Sequence, residues 1–368
     1  MNENENCYVL ALKLTPGIGD VLAKQLISYC GSASSIFKEK KGILLKIPNI
    51  GEKTVKALTS ASIIKQAEAS LSACEKQNIA VIPYFHPEYP ERLKIVNDAP
   101  LLIYSKGKSA FRDSKIVGVV GTRNATAYGK QITEKIVEEL VAHQAVVVSG
   151  LAYGIDIAAH RAALKNKLST VAILAGGLDK IYPSVHKKSA LEMLQSDGGW
   201  ISEYPPGTKP EAHNFPSRNR IIAGMSEALI VVEAANMGGA LITANIAYSY
   251  NREVFAVPGT LEHKYSEGCN ALIRSQKATI YTGIKDLEYL LGWEKGESKP
   301  QKKLLDLSKY GESEQKIMTV LEEFKTGLHL DELSWKTQIS VHEAVGHLLT
   351  LEFDGLIRSL PGKRYVRV

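Results

Sequence analysis

Cysteine is scarce in this chain: four in 368 residues, at Cys7, Cys30, Cys74 and Cys269. They are scattered and form no C-x-x-C pair. That excludes a zinc ribbon and a disulfide framework, and it fits a reducing compartment. Long apolar runs are missing too. No stretch approaches the ~18–20 apolar residues of a membrane-spanning helix, so no membrane association is expected. The segment Met1 to Asn6 is polar and acidic and does not read as a signal peptide. These absences together lead to a cytoplasmic location. A large excess of one charge is also lacking, since the formal net charge is +6. Such a balance permits an anionic partner without demanding one.

The motifs of cofactors and hydrolases are absent as well. The turn Gly121-Thr122-Arg123-Asn124-Ala125-Thr126-Ala127-Tyr128-Gly129-Lys130 lacks G-x-G-x-x-G spacing. Gln131 follows Gly129-Lys130 where a Walker A loop would continue with Ser or Thr. Neither NAD nor ATP is therefore expected, and no cofactor is assigned. Ser149 is not in a G-x-S-x-G turn. His342, Glu343 and His347 resemble a zinc-protease motif, but the histidines stand five apart. Five residues turn about 140° around a helix, so the two cannot share one metal face. Asp179, Glu203 and Glu233 lie near strand ends, where a general base could stand, but no paired carboxylate accompanies them. Asp156 and His160, four apart, read as shaping a helix start rather than as a catalytic pair. No catalytic residue and no metal ligand is assigned.

What is present divides into blocks. Residues 1–80 are short helical patterns broken by Pro-Gly turns. Residues 81–114 read as a connecting segment. Residues 115–291 alternate β-branched apolar runs with helical stretches. Residues 292–310 are polar and read as a linker, and 311–368 form a compact helical segment ending in a strand pair. The first block contains a repeat. Leu14-Thr15-Pro16-Gly17-Ile18-Gly19 runs into one helical pattern, and Ile47-Pro48-Asn49-Ile50-Gly51 runs into another. Each reads as a helix-hairpin-helix whose next helix exposes amides to a phosphate. The other reading is a helical bundle that uses these turns only for packing.

The middle block is the most informative. Runs at 116–120, 145–149, 170–174, 228–232 and 253–257 each end in small or polar residues and lead on into helical patterns or turns. Repeated strand, turn and helix predicts an α/β domain with a Rossmann-like, mostly parallel sheet. Ligands bind such sheets at the carboxyl ends of the strands. Those ends carry glycine-rich turns suited to an anion, with Arg123 beside the first. Phe215-Pro216-Ser217-Arg218-Asn219-Arg220 adds a ring and two further cations. Charge for the backbone and a flat face for a base suit single-stranded nucleic acid. The other reading places Phe215 in the core and an arginine in a structural ion pair.

These segments resemble the DNA-processing protein A (DprA/Smf) family. The resemblance is carried by Val119–Arg123, Ser149–Asp156 with Ala159-His160, Gly176–Pro183, Ser202–Gly207, Phe215–Gly224, Val231–Ala234, Leu241–Ala244 and Val254–Gly259, in that order. It implies a protein that binds and protects single-stranded DNA and helps load the RecA recombinase during natural transformation, acting as a homodimer. The implied DNA and phosphate pocket comprises Gly121, Thr122, Arg123, Ser149, Gly150, Gly176, Gly177, Lys209, Phe215, Arg218, Asn219, Arg220, Gly239 and Thr243. Two departures stand out. Ala212 occupies the place where some members carry a lysine, with Lys209 nearby. Gly238-Gly239-Ala240 replaces a Ser-Gly found in many members.

The related alternative is a Rossmann-type nucleoside monophosphate phosphoribohydrolase. Its P-G-G-x-G-T-x-x-E motif is not reproduced at Met237–Thr243, which lacks the glutamate. A nucleotide-sensing module without DNA affinity is a further alternative. The resemblance also implies a winged helix at the C-terminus, and the pattern agrees. A helix is expected over 314–323, a short one over 330–333, and a third capped by Ser340. A hairpin should follow across Pro361-Gly362-Lys363. The third helix carries no Arg or Lys, so duplex binding there competes with a protein-contact or packing role.

Overall fold

A computed structural model describes residues 3–108, 114–293, 309–324, 327–360 and 362–367. The chain divides into two compact units at 294/295.

The first unit is built on a nine-stranded sheet. Its strands are β1 (Ala80–Pro83), β2 (Leu102–Gly107), β3 (Ile116–Val120), β4 (Val146–Ser149), β5 (Thr170–Ile173), β6 (Gly199–Ser202), β7 (Ala228–Val231), β8 (Glu253–Ala256) and β9 (Thr279–Ile280). The order across the sheet is β1-β2-β6-β5-β4-β3-β7-β8-β9. Strands β6 through β9 are parallel, while β1 and β2 run antiparallel at one edge. Every residue of β3 to β7 is buried. Continuous apolar runs, rather than alternating ones, are what a sheet covered on both faces requires.

The chain starts its parallel strands at β3, steps outward through β4, β5 and β6, and then returns to β7 on the other side of β3. That reversal opens a crevice between the loops after β3 and β7, where open α/β sheets take their ligands.

The five strands expected from sequence are present. Four others were not foreseen. Segment 81–114, expected as a connector, carries nearly all of β1 and the whole of β2. Leu101, Leu102, Ile103 and Tyr104 are almost fully buried, and β2 pairs with β6. Its connector-like look comes from the charged and Pro-containing turn between the two strands. β6 was hidden because it opens on Asp197-Gly198-Gly199, a turn-like sequence.

The N-terminal helices are Glu3–Leu14, Asp20–Cys30, Ala33–Lys38, Lys41–Leu44, Glu52–Leu58 and Ala61–Lys76. They share one apolar core with Leu102, Tyr104, Leu174, Met193 and Trp200 of the sheet layer. This helical region is therefore part of the first unit rather than a separate body.

The second unit has helices Glu312–Glu323, Leu330–Thr337 and Val341–Phe353. Its strands β10 (Leu328–His329), β11 (Ile357–Leu360) and β12 (Arg364–Arg367) form a sheet in the order β10-β12-β11. This is a winged helix. Ser340 Oγ caps the third helix by accepting from Glu343 N at 3.3 Å. Of the expected linker, residues 294–308 lie outside the described residues, as does Pro361 of the hairpin. Among the described residues no helix is long and apolar enough to cross a membrane.

Candidate nucleic-acid interface

The crevice holds a cleft of about 820 Å³. One wall is the loop after β3, a second is the helix Asn214–Met225, and a third is the loop after β7 leading into the helix Gly239–Ser249. Eight of the residues expected from sequence line it: Gly121, Thr122, Arg123, Phe215, Arg218, Asn219, Gly239 and Thr243.

Phe215 is central to its chemistry. The ring is half-buried, with the Arg123 guanidinium 5.2 Å and the Arg218 guanidinium 5.9 Å from its centroid. Tyr182, half exposed, lies 6.4 Å away ring to ring. The two cations differ in kind. Arg123 is exposed and pairs with no carboxylate among the described residues. Its charge is available to a ligand.

Arg218 is buried. Nη1 donates to Gly150 O and to Ile173 O, each at 2.5 Å, and Nε donates to Asn219 Oδ1 at 3.1 Å. Burial pushes this guanidinium down to about 10, against the pull of the Asp156 carboxylate. It remains charged at neutral pH and is fixed in place. Asn219 in turn donates to Gly239 O at 3.3 Å, tying two walls of the cleft together.

The turns are shaped by carboxylates. Asp156 accepts from Gly150 N at 3.2 Å and Ala152 N at 3.3 Å, which folds the loop after β4. Burial nonetheless raises its pKa. Gly154 follows with φ 78°, and a Cβ there would stand 2.1 Å from Thr122 O, so glycine is required. Glu233 accepts from Thr126 Oγ1 at 2.6 Å and from Thr126 N at 3.0 Å, anchoring the start of the helix Ala127–Glu139. Asp179 Oδ1 accepts from Gly207 N at 2.7 Å. Glu203 pairs with Arg220. All three carboxylates considered as general bases thus have structural partners. His160, four residues after Asp156, is fully buried, with Nδ1 2.7 Å from Thr170 Oγ1.

Six of the expected residues do not line the cleft. Ser149 Oγ donates to Val119 O at 2.6 Å, inside the sheet. Gly150 supports Arg218 from behind. Gly176 and Gly177 lie under the loop 205–210, with Gly177 N donating to Thr208 O at 2.9 Å. Lys209 is exposed on that loop, its carbonyl accepting from Asn214 Nδ2 at 3.2 Å. Arg220 leaves the cleft altogether. Its guanidinium pairs with Glu203 and lies 3.5 Å from Asp20 of the N-terminal helices.

Other lining residues were not among those expected: Asn124, Asn236, Met237, Lys264, Tyr265 and Glu267; Ala212, singled out from sequence as a departure, also lines the cleft. Lys264 and Tyr265 follow β8, a strand that ends at the same sheet edge. Extending the strand-end argument further along that loop would have found them.

The fold and cleft thus define an open α/β protein with a cationic, aromatic crevice at its switch point. Residues 80–291 match the DNA recombination-mediator protein A family, and residues 309–363 match the DprA winged helix domain. The chain belongs to the DNA recombination-mediator protein A family, whose members process DNA in recombination. It is 31% identical to protein Smf of Synechocystis sp. over the whole of both chains. It is 42% identical to DNA processing protein DprA of Bacillus subtilis over 60% of this chain and 74% of that one. Among solved structures, DprA from Streptococcus pneumoniae superposes with a TM-score of 0.63 at 32% identity, covering 77% of this chain and 97% of that one. DNA processing protein A from Helicobacter pylori, described for its single-stranded DNA binding mode, gives 0.52 at 29% identity over 58% and 96%.

Proposed function

We propose that the cleft binds single-stranded DNA and that the protein, as a homodimer in the cytoplasm, protects that strand and helps load a RecA-type recombinase onto it. The observation that carries the reading is Phe215 set between the exposed Arg123 and the fixed Arg218. A base stacks on an aromatic face while guanidinium groups hold the phosphates on either side. The amides at the start of the helix Gly239–Ser249 add a further site for a phosphate.

The role is binding rather than catalysis. Asp179, Glu203 and Glu233, the carboxylates at strand ends, are each engaged in holding the fold and none lines the cleft, which disfavours the phosphoribohydrolase reading.

Fluorescence anisotropy with oligo-dT and with duplex of equal length tests the cleft. Tight, salt-sensitive binding of oligo-dT and weaker binding of duplex are expected. Unchanged oligo-dT affinity in Arg123→Ala together with Arg218→Ala would overturn the assignment. Release of free adenine from AMP would favour the hydrolase instead. Recombinase loading is read as faster strand exchange on strands precoated with a single-strand-binding protein.

A further inference from the structure

The N-terminal helices carry a charge that the cleft does not use. Between Lys38 and Lys56 stand six lysines and two glutamates, a net +4 out of the +6 of the whole chain. Lys38, Lys40, Lys41, Lys46, Lys53 and Lys56 are all exposed, and none forms an ion pair among the described residues. Of the two acids, Glu39 accepts from the adjacent Lys40 N.

The two hairpins of the repeat differ in what surrounds them. The first is used internally. Asp20, just after Gly19, accepts from Lys13 Nζ at 2.5 Å and from Leu101 N at 3.1 Å, and Arg220 stands beside it. The second hairpin, Pro48 to Gly51, abuts the first: a Cβ on Gly17 would lie 3.6 Å from Thr54 Oγ1. Lys13 and Lys24, which flank the first hairpin, are engaged with Asp20 and with the Ala99 carbonyl, whereas the exposed lysines stand in the chain on either side of the second.

The stretch 38–56 contains no Phe, Tyr or Trp. Exposed charge without an aromatic face suits a phosphate backbone and offers nothing for an unstacked base to lie on.

We propose that this lysine surface is a second DNA site, which takes the backbone of duplex DNA and so lets the protein seat the double-stranded arm beside a single-stranded tail. Only the tail part rests on the reading of the cleft given above.

The test uses the full chain with Lys41, Lys46, Lys53 and Lys56 all changed to Gln, and a second variant with the same four changed to Arg. Anisotropy is measured with oligo-dT, with blunt duplex, and with duplex bearing a dT tail. The Gln variant is expected to bind both duplex probes about tenfold more weakly or worse. Its log–log salt slope should fall by about 3 to 4, near one per lost phosphate contact. Oligo-dT affinity stays at the wild-type value, and the Arg variant behaves as wild type. Duplex binding that is unchanged in the Gln variant overturns the proposal. An equal loss on oligo-dT and tailed duplex also overturns it, because the surface would then track a single strand. If wild type fails on oligo-dT while the lysine effect on duplex persists, the cleft reading falls and this one stands.

Discussion

Arg218 and Gly150 are mutually dependent. The guanidinium donates to the Gly150 carbonyl at 2.5 Å, and a Cβ on residue 150 would stand 2.3 Å from the same Nη1. The loop after β4 and the helix wall of the cleft are thus fixed by one buried contact. Gly150→Ala forces the arginine out of a site where Nη1 and Nε are already committed to Gly150 O, Ile173 O and Asn219 Oδ1. Overpacking of this kind costs about 1–3 kcal/mol. The expected outcome is that loss in urea unfolding together with weaker oligo-dT binding, although residue 150 itself never faces the ligand.

Arg123 is the contrasting case. It is exposed and supports nothing in the fold, so Arg123→Ala should change unfolding free energy by no more than about 0.5 kcal/mol. Its loss should fall on the ligand. One phosphate contact fewer lowers the single-strand salt slope by about 0.7. Arg123→Lys should restore the slope and recover only part of the affinity, because an ammonium does not stack on Phe215 as a guanidinium does. Anisotropy at several salt concentrations separates the two effects.

Much of this cleft was legible in the sequence, because the strand-ending turns of a parallel sheet converge by topology. Gly121 and Arg123 follow β3, and Arg218 and Gly239 lie on the helices that follow β6 and β7, so the segments leaving successive strands had to share one edge. What sequence could not show was the direction of each side chain. Arg218 and Arg220 stand two apart on one helix and look equivalent. About 200° of helix separates them, and one turns to the cleft while the other turns to Glu203. Ser149 likewise ends a strand as a ligand-binding serine would, but a strand alternates its faces and the hydroxyl points back to Val119. The strands β1 and β2 were missed because their pattern is short and their partner, β6, comes much later in the chain.

The placement of Arg220 leads to a stability prediction. Its partner Glu203 is 6% exposed, and burial raises the pKa of that carboxyl against the pull of Arg220. Arg220→Ala leaves this acid buried without its cation. Removing one partner of a buried pair costs about 3–5 kcal/mol. Urea unfolding should show that loss. The salt slope on oligo-dT should stay near wild type, in contrast to Arg123→Ala, since Arg220 contacts no phosphate. A slope change as large as that of Arg123→Ala would instead place Arg220 against the DNA.

His160 supplies a pH dependence. Burial lowers its pKa from 6.5 to about 3, with His186 and Arg218 acting in the same direction. In the unfolded chain the imidazole titrates at its ordinary value, so as acid is added the unfolded state takes up the proton first. Proton uptake by the unfolded state favours unfolding. The contribution is therefore full above about pH 6.5 and is lost progressively as pH falls toward 3. Between pH 6.5 and 5 the loss should reach about 1–2 kcal/mol, at about 1.4 kcal/mol per unit once well below the unfolded pKa. Asp156, whose pKa is raised, works in the opposite sense and is common to wild type and variant. The comparison is thus with His160→Asn, measured by urea unfolding at both pH values. The wild type should lose that much more stability than the variant on acidification. Equal losses would mean that the imidazole takes up its proton in the folded chain as readily as in the unfolded one.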